Sequence, residues 1–143
     1  MSFETKALIT DNARQRIAEG WATGKSFAIV GFSLGNEGHD TLDPRTALAP
    51  DPSLMDCPGV VFGPKAIASF SYANDTCPVF ECRLEFGEAV VEYSSLCLIA
   101  QILYSPVPGD PEVDTTFLFA VVNFPLRSKT DLEELVINVG VSR

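Results

Sequence analysis

Two long apolar runs, residues 96–104 and 116–124, constrain this chain more than any other feature. A helix crossing a bilayer takes about 20 residues, roughly twice what either run offers. Both read as central strands of a sheet. Residues 27–34 are apolar on both alternations, as in a strand covered on each face. Two further segments alternate. In residues 79–86, Phe80, Cys82, Leu84 and Phe86 interleave with Glu81, Arg83 and Glu85, which describes a strand with one wet face. In residues 135–141, Leu135, Ile137, Val139 and Val141 share one side. Residues 65–72 carry a weaker strand pattern.

Helical spacing occurs near the start. Thr10 or Asp11 can cap a helix, because either side chain accepts from the unpaired N–H groups of a first turn. Ala13, Ile17 and Trp21 then recur every four residues, with Arg16 and Glu19 on the opposite face. Gly20 weakens the last turn and Gly24 suits the left-handed residue that ends many helices. So short a helix is marginal alone and needs a sheet to lie on, with Trp21 expected as its anchor in the core. The expected fold is α+β: a mostly antiparallel β-sheet or sandwich with one short N-terminal helix packed on it. A chain of 143 residues fits one domain, here 1–143, and buries roughly two-thirds of its unfolded surface. It divides into a strand–helix–strand opening (3–34), a proline- and glycine-rich arm (35–64) and a β-rich core (65–143) interrupted by a proline-rich loop (105–115).

The arm holds five of the ten prolines and four of the ten glycines. Loops of this length in a compact domain are uncommon and are usually functional or disordered. Proline lowers the ordering cost of binding, so both loops are candidate contact surfaces. The residues singled out are Asn36, Glu37, His39, Asp43, Pro50 and Pro52 in the arm, and Pro106, Pro108, Asp110 and Glu112 in the loop.

Charge and motif content narrow the function. Asp and Glu number 19 against 10 Lys and Arg, and no basic residue lies between Arg83 and Arg127. Nucleic-acid binding draws its affinity from Lys and Arg on phosphates, so it is not expected. No secretory signal or membrane span is visible. Four cysteines in or beside strands read as free, buried thiols in a reducing cytoplasm. His39 is the only histidine, and no neighbouring residue marks a nucleophile for it. The cysteines lack zinc spacing. Asp110, Glu112 and Asp114 alternate as in a calcium loop, but without its sixth-position glycine and twelfth-position glutamate. The glycines Gly31, Gly35 and Gly38 match no phosphate-binding motif. No catalytic residue, metal or cofactor is assigned.

Several of these segments together resemble a known family. Thr10, Ala13, Ile17 and Ala18 fall in a T-x-x-(A/G)-x-x-x-I-A helix. Phe32-Ser-Leu-Gly-Asn-Glu-Gly38 forms the strand and glycine turn after it, and Asp43-Pro44, Thr46-Ala47-Leu48 and Pro50 begin a proline-rich loop. Leu118-Phe119-Ala120-Val121, Phe124-Pro125 and Lys129 correspond to a late strand and its exit. In these respects the chain resembles the N-terminal, baseplate-attaching domain of tail-fibre proteins from contractile-tailed bacteriophages. It departs from that pattern in a turn one residue longer, through Glu37, and in loop 105–115 where a tight turn is usual. The sequence ends at Arg143, before any shaft, which suggests a free-standing adaptor. The resemblance implies a non-enzymatic structural protein of the virion tail or baseplate, made in the host cytoplasm. Its partners would be other tail, baseplate or fibre proteins, and further copies of itself. The competing expectations are a small-ligand or carbohydrate-binding β module, with a pocket edged by Trp21 or Tyr104 and the loop acids, and a hydrolase using His39.

Overall fold

The computed structural model describes residues 2–74 and 76–141; residues 1, 75, 142 and 143 of the expected segments lie outside it. Its elements are β1 (Ser2–Ile9), α1 (Asp11–Thr23), β2 (Ser26–Gly35), β3 (Val60–Ala66), β4 (Ser69–Asn74), β5 (Cys77–Leu84), β6 (Glu92–Tyr104), β7 (Thr116–Ser128) and β8 (Leu135–Val141). All eight strands belong to one sheet, in the order β3-β2-β6-β7-β1-β8-β5-β4. The class is α+β and mostly strand. The sheet is mixed, because β1 and β8 run parallel while the other neighbours are antiparallel.

β1 is the joint of the sheet. Ser2 to Ala7 pair with Val136 to Val141 of β8, and then Leu8 and Ile9 pair with Val121 and Ala120 of β7. One short strand thus serves two neighbours in succession. Residues from both halves meet in one hydrophobic cluster: Leu84, Ile137 and Val139 from one side, Phe32, Leu96 and Leu98 from the other. The alternations of β5 and β8 put Cys82, Leu84, Leu135, Ile137 and Val139 fully into this core. Phe86, expected on the same side as Cys82, falls beyond the end of β5 and is exposed.

The two apolar runs are indeed the central strands β6 and β7, and both of their faces are covered. Leu96, Leu98 and Ala100 point into the main core. Cys97, Leu118 and Val121 form a second cluster, covered by Leu54 and Cys57 of the arm. The arm therefore serves as a lid on the second face. Leu54 and Cys57 sit among prolines and acids, so no alternation marks them as core residues.

α1 forms where capping and spacing place it. Thr10 is the N-cap: its Oγ1 accepts from the Ala13 N–H at 3.2 Å and donates to the Leu118 carbonyl at 3.0 Å. Gly24 closes the helix at φ +82°. Ala13 is fully buried and Ile17 half-buried, but Trp21 is 76% exposed. The expected core anchor is thus displaced, because the apolar stripe at four-residue spacing drifts off the sheet before the third turn. Two boundaries also shift. The arm is shorter than expected, since Gly35 still belongs to β2 and β3 begins at Val60. Residues 65–72 are the end of one strand and the start of another.

Candidate functional site

The arm is built by its own short side chains. Asn36 N–H donates to the Gly59 carbonyl at 3.1 Å and closes its base. His39 and Ala47 form an isolated antiparallel bridge, flanked by Leu48 N–H on the Gly38 carbonyl and Asp40 N–H on the Thr46 carbonyl, each 2.9 Å. At the tip, Asp40 and Asp43 replace the missing backbone partners. Leu42 N–H donates to Asp40 Oδ1 at 2.9 Å, and Thr46 Oγ1 donates to Asp43 Oδ2 at 2.8 Å. Asp43, a candidate contact residue, turns its carboxylate inward onto its own turn. Leu42, which sequence reasoning passed over, is 94% exposed at the tip.

Hydrogen bonds fasten this arm to the sheet and helix. Leu126 N–H donates to the Pro44 carbonyl at 2.8 Å, Asn123 Nδ2 to the Leu48 carbonyl at 3.0 Å, and Asp11 N–H to the Pro52 carbonyl at 2.7 Å. The last supplies an acceptor to a helix N-terminus, where the first N–H groups have no intrahelical partner. At the root, space is tight enough to require glycine. A Cβ on Gly35 would lie 2.2 Å from the Pro58 carbonyl oxygen, and one on Gly38 would lie 2.2 Å from that of Ser94.

His39 does find a serine, and the chain gives no local sign of it because Ser94 is 55 residues away. The His39 Nδ1 to Ser94 Oγ distance is 2.9 Å, and Ser94 Oγ also accepts from the Gly38 N–H at 2.8 Å. Ser94 is fully buried. The hydroxyl is thus enclosed and engaged from the arm side, an arrangement that clamps the arm against β6. Asn36 and Glu37 are exposed beside it, Pro50 is half-buried and Pro52 is exposed.

The second candidate loop, residues 105–115, is fastened to α1 through its acids. Lys25 Nζ lies 3.0 Å from both Asp110 Oδ2 and Glu112 Oε2, and Arg16 Nη1 lies 2.9 Å from Glu112 Oε2. The Glu112 backbone N–H, the Ser105 hydroxyl and the Lys25 ammonium hold the Asp110 carboxyl down to about 2. Glu112 is lowered chiefly by its hydrogen bond to Lys25, and Lys25 is raised in turn, Glu112 contributing most. Pro106 and Pro108 stay exposed on the outer side. Tyr104, at the end of β6, is 57% exposed.

Hollows edged by Tyr104 with Asp110 and by Trp21 with Ile17 lie in the surface, and two more bear on the sheet. One of about 360 Å³ is apolar, lined by Ile9, Ile17, Phe27, Pro78, Phe119 and Val141, between α1 and the start of β5. The other, about 500 Å³, lies on the outer face of the β1-β8-β5-β4 half, among Glu4, Lys6, Ser71, Val79 and Asn138. Cys57 of the arm packs against the cluster that holds Cys97; the neighbouring Cys57 thiol, with burial, pushes the Cys97 thiol up. Among the described residues no group of three or more His, Cys, Asp and Glu side chains is placed to hold a metal ion. No helix among the described residues is long and apolar enough to cross a membrane. No family model, curated protein or solved structure matches the chain.

Proposed function

We propose that this chain is a non-enzymatic structural protein of a contractile-tailed phage virion, a small tail-fibre or baseplate adaptor that joins neighbouring subunits. One observation carries the reading: Leu42 stands almost wholly in solvent on a turn that Asp40, Asp43 and Thr46 build and that Leu126 ties to the sheet. A large apolar side chain held out on a preorganised turn gains by being covered, and little further ordering is lost when it is. The sequence resemblance adds the setting, since the arm begins at the same turn from which the family's proline-rich loop departs. Partners in this reading are other tail, baseplate or fibre proteins and further copies of the chain. The switch of β1 from β8 to β7, with one cluster drawing on both halves of the sheet, is read as sandwich-like. Electron microscopy and mass spectrometry of purified tails test the proposal: the chain is expected at the baseplate, and Leu42→Asp is expected to reduce its incorporation without unfolding it. Absence from mature particles overturns it.

A second reading, a small-ligand or carbohydrate-binding module, is favoured by the hollow on the outer sheet face. Glu4, Lys6 and Asn138 there offer acceptors and donors beside Tyr72 and Val79. A glycan array with the isolated protein separates the two, because an adaptor gives no saturable signal.

A further inference from the structure

β4 is an edge strand, and every one of its residues is exposed. Strand register fixes where its side chains lie. Phe70 is opposite Phe80, Phe80 is opposite the buried Val139, and Tyr72 is opposite Pro78. Directly opposed residues share a face, so Phe70 and Tyr72 continue the core-side rows of β8 and β5. Yet they are 64% and 67% exposed. Their rings meet edge to face with centroids 6.0 Å apart. The sheet runs one strand beyond its cover.

The opposite edge shows what protection looks like. β3 contains Pro64, which has no N–H to offer, and Lys65, and its register with β2 is broken twice. Prolines, lysines and bulges are the usual guards against edge pairing. β4 carries neither proline nor charge: it reads Ser69, Phe70, Ser71, Tyr72, Ala73, Asn74, and its pairing with β5 is regular as far as Tyr72. In a chain of net charge −9, a neutral edge is where two copies meet with least repulsion. The strand is also symmetric in size about Ser71: small, aromatic, small, aromatic, small.

We infer that β4 pairs antiparallel with β4 of a second copy, about a two-fold axis at Ser71, so that two sheets become one. This centring sets Phe70 of each copy against Tyr72 of the other, and Ser69 against Ala73. The four rings cover one another on the core side, and the other face carries only small side chains. A second copy fits where a charged or bulky partner strand does not, because the edge is complementary to itself. The inference deepens the assembly reading, on which its biological use rests, by naming one surface and its partner.

Sedimentation equilibrium of the whole chain is expected to show a reversible dimer. Ser71→Lys sets two ammonium groups directly opposite each other and is expected to raise the dimer Kd at least about tenfold. Leu132→Asp, exposed between β7 and β8, is expected to leave it unchanged. Facing positions have Cβ atoms about 4.5–5.5 Å apart. The Ser71→Cys variant treated with glutathione disulfide is therefore expected to form a covalent dimer whose linkage maps to position 71. Circular dichroism checks that each variant is folded. A monomer at every concentration overturns the inference, as does a dimer indifferent to Ser71→Lys. A monomer that is nevertheless found in tail particles overturns the pairing alone and leaves the assembly reading standing. A dimer linked at position 71 but absent from particles supports the pairing and overturns the virion reading.

Discussion

Lys25 Nζ lies 3.0 Å from the Asp110 carboxylate, so the proline-rich loop between β6 and β7 is fastened to the residue just beyond α1. The contact joins the first fifth of the chain to its last third. It also explains how a stretch of three prolines and three acids holds one shape without a core of its own.

That contact has a pH signature. The folded Asp110 carboxyl is held at about 2, below its ordinary 3.8, by the Glu112 backbone N–H, Ser105 and Lys25. A carboxyl lowered on folding stabilises the native state fully above its unfolded value, and the contribution disappears as pH falls through the folded value. Asp110→Asn is therefore expected to lower the melting temperature at pH 7, with the gap to wild type closing between about pH 4 and pH 2. Thermal melts across that range check it, and a constant gap would contradict the ion-pair account.

One oxygen of Thr10 serves both the helix and the sheet. It caps α1 through the Ala13 N–H and pins the helix to the Leu118 carbonyl of β7. Thr10→Val keeps the shape and removes both, and is expected to cost about 1–3 kcal/mol in urea denaturation. Thr10→Ser should recover most of that loss, since the hydroxyl is what acts.

At the arm's root, Ser94→Ala leaves the Gly38 N–H buried without its acceptor, an expected loss of about 1–3 kcal/mol. Gly38→Ala drives a Cβ into the Ser94 carbonyl, 2.2 Å away, and costs a similar about 1–3 kcal/mol by overpacking. In both variants hydrogen exchange should rise first in residues 36–59 and only later in β6 and β7. Uniform loss of protection would show that the arm is not a separate unit.

The thiols should differ sharply in reactivity. Cys77, Cys82 and Cys97 are buried, and burial pushes the Cys82 thiol up to about 12. Only Cys57 is partly exposed. An aromatic disulfide reagent is expected to modify Cys57 well ahead of the others in native protein, and all four in denaturant. Leu54 and Cys57 cover Cys97, so an arm loosened by Gly38→Ala should bring Cys97 forward as the second thiol to react.

The strands of the core, their faces and the single short helix were legible in the chain, because each depends on local spacing. Cys82, Leu84, Ile137 and Val139 are buried as their alternation requires, and Thr10 and Gly24 bound α1 as capping chemistry requires. Tertiary structure decided what those elements meet. Spacing alone did not say how much of the stripe through Trp21 the sheet would cover, and nothing in Ser94 names His39, 55 residues earlier, as its neighbour. The parallel pairing of β1 with β8, the switch of β1 to β7, and the use of Leu54 and Cys57 as a lid are long-range choices. They depend on how much apolar surface is left to cover once every strand has found its partners. The same residue-by-residue spacing that made β6 and β7 legible as strands covered on both faces could not say which part of the chain would cover the second face.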